Sequence, residues 1–195
     1  MNVLVIPEDF RKDQYILKPV ISKMFESIGR KRARIKVCPD PLLGGVTEAT
    51  KWERIEEILD MYRGMVQVFL LIVDRDGVKG RRKALDRLEK LAGDSLGDTA
   101  CLYAENAWQE IEVWALAGLN PLPKKWKWAD VRAEIHAKET YFDPFAKERR
   151  LLNEPGQGRT TLGRLAGQNY KRVRSRCPED IQALEERLKE WLSQN

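Results

Sequence analysis

Gly64-Met65-Val66-Gln67-Val68-Phe69-Leu70-Leu71-Ile72-Val73-Asp74-Arg75-Asp76-Gly77 is the stretch that decides the fold. Met65–Val73 is apolar and partly β-branched, and glycines bound it on both sides. It reads as a strand buried on both faces. Such strands belong to parallel sheets covered by helices. The segments around it agree. Val3–Ile6 is a short apolar run ending at Pro7, a second buried strand. Arg34–Cys38 and Thr99–Tyr103 are two further strand candidates. Between them, apolar residues recur at helical spacing: Tyr15 to Ile28, Trp52 to Tyr62, Arg82–Leu91 and Trp108–Leu119. Strand and helix alternate four times. The expectation is an α/β fold, a mostly parallel sheet of about four strands flanked by helices.

In open sheets of this kind, sites form at the carboxyl ends of the strands. Three acidic groups are expected there: Glu8-Asp9, Asp74-Arg75-Asp76 and Glu105. Strand residues alternate faces, so Asp74 and Asp76 are expected to point together, with Arg75 opposite. Two carboxylates so placed repel each other, and a divalent cation relieves the repulsion. Gly77 lets the chain turn away directly afterwards. The bland alternative is a solvated Asp-x-Asp-Gly turn; position after a central strand favours the site. If the first and third strands are neighbours, Glu8 lies within reach of Asp74 as a ligand or general acid/base. Asp9 and Asp13 are weaker candidates of the same kind. Glu110 and Glu112, read on one helix, point about 200° apart and are not expected to share a site. A glutamate on the buried side, as Glu112 is, needs a metal or an Arg/Lys partner.

These residues resemble the Toprim family, the catalytic domain of topoisomerases, primases and OLD-family nucleases. The family pattern is a glutamate after the first strand and an Asp-x-Asp after the third. Here Val3-Leu4-Val5-Ile6-Pro7-Glu8 and Leu70-Leu71-Ile72-Val73-Asp74-Arg75-Asp76-Gly77 match it, over about residues 1–118. Glu110-Ile111-Glu112-Val113-Trp114-Ala115-Leu116-Ala117 looks like a helix of small stand-alone Toprim-like proteins, which often sit beside ABC-type ATPases in bacterial defence loci. The resemblance implies metal-dependent phosphoryl transfer on nucleic acid. Glu8, Asp74, Asp76 and Glu112 would hold Mg²⁺ or Mn²⁺, and an ABC- or OLD-type ATPase is an expected partner. The chain departs from the pattern where Asp9 replaces the usual glycine, and where Lys12 takes an expected acidic place with Asp13 after it. OLD-type nucleases also use a C-terminal lysine, for which Lys171 is a candidate.

After Pro121 the pattern changes. Residues 1–120 are expected to form the metal-binding domain, and 121–195 a basic, mostly helical extension. In that extension, helices are expected near Ala129–Lys138 and Pro178–Leu192, with Thr140–Gly167 irregular and Gly-rich. Pro178 near the helix start, with Glu179 and Asp180 in the first turn, suits the helix dipole. Lys147 to Arg176 holds nine Lys/Arg against two Glu, in a chain of net charge +5. Such concentration suits phosphate binding. Lys79, Arg81, Arg82 and Lys83 directly after the Asp-x-Asp, with Arg159, Lys171 and Arg174, are the candidate nucleic-acid contacts. Gly156, Gly158, Arg159, Thr160 and Thr161 are expected to form a mobile loop near the substrate. Trp126 and Trp128 are read as packing residues.

Other classes are excluded. His136 is the only histidine, which rules out HExxH zinc hydrolysis. Cys38, Cys101 and Cys177 form no CxxC pair, so neither a disulfide framework nor a thiolate zinc site is expected. Reduced thiols and the short apolar run at Val3–Ile6, unlike a signal peptide, suggest a cytoplasmic location. No stretch approaches the ~20 apolar residues of a membrane span. Three functional readings follow: a nuclease, a non-catalytic module that grips nucleic acid and docks on an ATPase, and a phosphatase for small phosphates.

Overall fold

The computed structural model describes residues 1–39, 41 and 43–194. Pro39–Gly45, whose Pro and Gly content reads as a loop in the sequence, includes Asp40 and Leu42, which lie outside them. In chain order come β1 (Asn2–Pro7), α1 (Phe10–Ser27), β2 (Arg34–Val37), α2 (Val46–Ala49), α3 (Trp52–Tyr62), β3 (Val68–Asp74), α4 (Arg81–Leu96), β4 (Cys101–Ala107) and α5 (Glu112–Ala117). Then follow α6 (Trp128–Ala133), α7 (Asp143–Glu148), α8 (Arg159–Gln168), α9 (Tyr170–Arg176) and α10 (Ala183–Gln194). Among the described residues the sheet is four-stranded and wholly parallel, in the order β2-β1-β3-β4. The α/β expectation holds at this level.

Both faces of the sheet are covered. On one face Val3, Val5, Val68, Leu70 and Ile72 pack with α1, α5 and the C-terminal helices. On the other, Leu4, Ile6, Phe69, Leu71 and Val73 pack with α3 and α4. Each buried large side chain contributes about 1.5–3 kcal/mol relative to exposure. Phe142, Leu162, Tyr170, Val173 and Leu184 join the core built by α1 and α5, so residues after 120 share it. No described helix is long and apolar enough to cross a membrane.

Several boundaries differ from the sequence reading, each for a physical reason. β4 continues to Ala107, because Glu105 inside it is paired with Arg82 and Arg187. Glu105 is therefore buried within the strand rather than standing at its carboxyl end. The outer edge of β4 is covered as well: Ala104 N–H donates to Glu89 Oε1 at 2.7 Å, and Arg82 donates to the Ala104 carbonyl at 2.7 Å. α5 begins at Glu112, not Trp108, since residues 108–111 form a turn. Thr140–Gly167 is largely helical, holding the end of a π-helical turn (Lys138–Phe142), α7 and most of α8.

The glycines of α8 explain that last miss. Pro19 stands inside α1 and has no N–H for the Tyr15 carbonyl. α8 lies directly against this opened turn. A Cβ at Gly163 would overlap the Tyr15 carbonyl oxygen, and one at Gly167 would lie 3.0 Å from the Pro19 oxygen. Here glycine permits a close helix crossing rather than breaking a helix.

Asp180 does not sit at a solvated helix start. It belongs to a π-helical turn (Pro178–Gln182) and is fully buried, at 0% exposure. Its carboxylate accepts from Trp108 N–H at 2.8 Å, Trp114 Nε1 at 2.7 Å and Arg132 Nη2 at 2.8 Å. This pins the C-terminal helices to the turn that follows β4.

Candidate functional site

The order β2-β1-β3-β4 places the reversal of chain direction across the sheet between β1 and β3, where an α/β sheet opens a crevice at its carboxyl ends. A cleft of about 580 Å³ lies there. Glu8 enters it from the end of β1, Asp74 from β3, Asp13 from the first turns of α1, and Glu112 from the start of α5. Glu110, Asp9, Gly44 and Gly45 complete its acidic and glycine lining. Arg11, Lys12, Lys138 and Arg159 supply the cations.

Backbone donors fix the carboxylates. Asp74 N–H donates to Glu8 Oε1 at 2.7 Å, so the β1–β3 adjacency puts these two residues together. Asp74 Oδ1 accepts from Ile111 N–H at 2.8 Å. Asp13 Oδ2 accepts from Asp9 N–H at 3.1 Å, in a helix start that Asp9 caps. Glu112 is ion-paired with Arg159, both buried. Glu110 Oε2 accepts from Lys138 N–H at 2.7 Å.

So many acids in one cleft hold one another's protons. Burial first, then the charge of Asp76, pushes the Glu8 carboxyl up to about 7, against the bond from Asp74 N–H. Burial and then Glu112 push Asp13 up to about 8. Burial, then Glu8 and Glu112, hold Asp74 well above the usual carboxylate range. Burial also raises Glu110 to about 7.

Asp76 departs from the expectation that it would point with Asp74. Its φ is +51°, so strand alternation ends at Asp74. Its half-exposed side chain is paired with Arg81, Nη2 to Oδ2 3.4 Å, and does not line the cleft. The loop instead ties to the turn after β4. Asp76 N–H donates to the Gln109 carbonyl at 3.1 Å, Gly77 N–H to Gln109 Oε1 at 3.0 Å, and the Arg75 guanidinium stacks 3.8 Å from the Trp108 ring. Glu110 and Glu112, expected apart, line one cleft because Glu110 precedes the helix. Asp13 is the residue underrated by sequence. The signal was present in Asp9, whose helix-capping chemistry sets where α1 begins and so which way Asp13 faces.

The expected nucleic-acid contacts divide. Arg159 lines the cleft, but at the start of α8 and only 2% exposed, rather than in a mobile loop. Arg82 is engaged by Asp86, Glu89 and Glu105, and Arg174 by Glu185 and Glu186. Arg81 pairs with Asp76. Lys79, Lys83 and Lys171 are exposed and do not line the cleft. Part of the C-terminal positive charge caps α5, where Arg176 Nη1 donates to the carbonyls of Ala117 and Leu119 at 3.0 Å each.

Oxygen-only donors suit a hard divalent cation such as Mg²⁺ or Mn²⁺, and carboxyls with raised pKa lose their protons to solvent when such an ion displaces them. By chemistry Glu8, Asp13, Asp74 and Glu112 fit that group. As placed, no three acidic, His or Cys side chains among the described residues stand close enough together to hold one. Compared with protein-family models, curated proteins and solved structures, the chain gives no match.

Proposed function

We propose that this protein is a Toprim-like, Mg²⁺- or Mn²⁺-dependent nuclease that hydrolyses nucleic-acid phosphodiesters, with an ABC- or OLD-type ATPase as its partner. One observation carries the reading: Glu8, Asp13, Asp74 and Glu112, from four elements, line one cleft at the β1/β3 crevice together with Arg11, Lys12, Lys138 and Arg159. Glu8 and Asp74 would hold the ion, joined by Asp13 or Glu112. When bound, the ion would supply the charge that polarises a phosphate and lowers the pKa of water. Were Glu8 instead the general acid/base, its oxygen not held by Asp74 N–H would exchange the proton, burial having raised that carboxyl to about 7. Arg11, Lys12 and Lys138 bring positive charge to the mouth, where a phosphodiester would enter.

The test is cleavage of DNA and RNA with Mg²⁺ or Mn²⁺, comparing the unaltered protein with Glu8→Ala and Asp74→Ala. Each substitution is expected to lower the rate on the order of 100-fold or more. Cleavage unchanged by both would remove this site. The second reading, a Toprim-like module that grips nucleic acid without cutting it, is favoured by the position of Asp76 outside the cleft. Cation-independent binding with no cleavage, even with the partner ATPase present, would select it.

A further inference from the structure

Arg159 is the buried arginine of the cleft. It is 2% exposed, yet lines the cavity beside Glu8, Asp13 and Asp74. Its Nη2 meets Glu112, and its Nη1 donates to the Gly156 carbonyl at 3.0 Å. Its Nε is buried with no hydrogen-bond partner. An arginine presents five donors in a rigid fork, and leaving one of them buried and unmet costs free energy. A tetrahedral oxyanion is the ligand whose geometry satisfies such a fork.

The rest of the arrangement holds the guanidinium for such a ligand. The Gly156–Gly158 turn that leads into α8 is closely packed: a Cβ at Gly156 would overlap the Tyr15 ring, and one at Gly158 would lie 2.9 Å from Ala146 Cβ. The guanidinium stands 5.2 Å from the Phe142 ring centre. Glu112 is the one carboxylate of the cleft group that Arg159 engages, and Glu112 is also a candidate ligand for the cation.

We propose that Arg159 is the phosphate-contacting residue of the cleft, and that Glu112 blocks it until a divalent cation draws the Glu112 carboxylate away. The inference rests on the nuclease reading and adds an order to it, cation first and nucleic-acid phosphate second. Glu112 then has two exclusive partners. With no cation it neutralises Arg159, and the cleft repels a phosphate. With the cation present, Glu112 joins the other carboxylates, and Nη2 and Nε of Arg159 turn to the non-bridging oxygens of a phosphodiester.

Opposite effects at the two ends of one ion pair make the test. The protein is titrated with a short fluorescein-labelled single-stranded DNA, without cation and with Ca²⁺. Mn²⁺ binding is read separately by electron paramagnetic resonance. For the unaltered protein, Ca²⁺ is expected to tighten DNA binding about tenfold or more, the scale of one charge-assisted hydrogen bond. Arg159→Gln should lose that gain and bind Mn²⁺ at least as tightly, since Glu112 has lost its competitor. Glu112→Gln should do the reverse, binding DNA without cation about tenfold more tightly than the unaltered protein. Arg159→Lys, which keeps the charge without the fork, should keep only part of the Ca²⁺ effect. If Arg159→Gln fails to fold by circular dichroism, Glu112→Gln and Arg159→Lys carry the test. A full Ca²⁺ gain in the Arg159 variants overturns the proposal. So does weaker cation-free DNA binding in both Arg159→Gln and Glu112→Gln, the result of a merely structural pair. If the unaltered protein binds no Mn²⁺, the nuclease reading falls as well, so the two failures are separable.

Discussion

Asp74 and Asp76 are two residues apart and have different physical roles. Asp74 ends the strand, with one oxygen fixed by Ile111 N–H and its charge crowded by Glu8 and Glu112. Asp76 stands in the left-handed region, half-exposed, and is paired with Arg81. With its carboxylate half-exposed and its oxygen 3.4 Å from the largely buried Arg81, such a pair contributes on the order of 1 kcal/mol. Asp76→Ala is therefore expected to cost cleavage less than Asp74→Ala, which the same rate assay reads directly. Equal losses would mean that Asp76 swings into the cleft when the ion binds. Alternation along a strand pairs the two aspartates on paper. It ceases where φ becomes positive, a region that aspartate enters more readily than most residues and that the Asp-x-Asp-Gly turn reading had offered.

At the scale of elements, the α1–α8 crossing depends on one absent side chain. Gly163→Ala is expected to destabilise the protein by about 1–3 kcal/mol, because the new Cβ must displace the Tyr15 backbone. Thermal unfolding measures it, and an unchanged midpoint would mean that the helices separate freely. The same crossing shows which elements the sequence disclosed. β1 and β3 were legible because continuous apolar runs have few other homes than a buried parallel strand. Their adjacency was only a condition in the sequence; the sheet order meets it and brings Glu8 to Asp74. α8 was not legible: Gly156, Gly158, Gly163 and Gly167 read as a loop, and only the bulk of α1 opposite two of them makes a helix there favourable. The start of α5 was misread for a related reason. The turn 108–111 is held by Asp180, 72 residues from Trp108, and no local pattern carries that contact. With the start misplaced, Glu110 and Glu112 were assigned to opposite sides of one helix, and Glu110 was not placed in the cleft beside Glu112.

At the scale of the molecule, the cleft makes folding sensitive to protons and cations together. In the unfolded chain Glu8 and Asp13 return to ordinary carboxylate values, while in the folded protein they rise to about 7 and about 8, with Asp74 raised beside them. Below the unfolded values all three are neutral in both states, and their contribution is fully present. As pH rises through the folded values, the native state binds more protons than the unfolded one and that stability is lost. Without divalent cation, the unfolding midpoint is therefore expected to fall between about pH 5 and pH 8, contrary to a protein stabilised by exposed carboxylate ion pairs. Mg²⁺ or Mn²⁺ should raise the midpoint most at the alkaline end, since an ion bound only by the folded state stabilises by mass action and meets the carboxylates already ionised there. Asp13→Asn removes one of these charges without removing bulk. It should flatten the pH slope, raise the cation-free midpoint at pH 8, and shrink the rise produced by the ion. Melts across pH, with and without Mn²⁺, read all three effects. A slope unchanged by Asp13→Asn would show that the crowded carboxyls at the β1/β3 crevice do not set the acid–base behaviour of this fold.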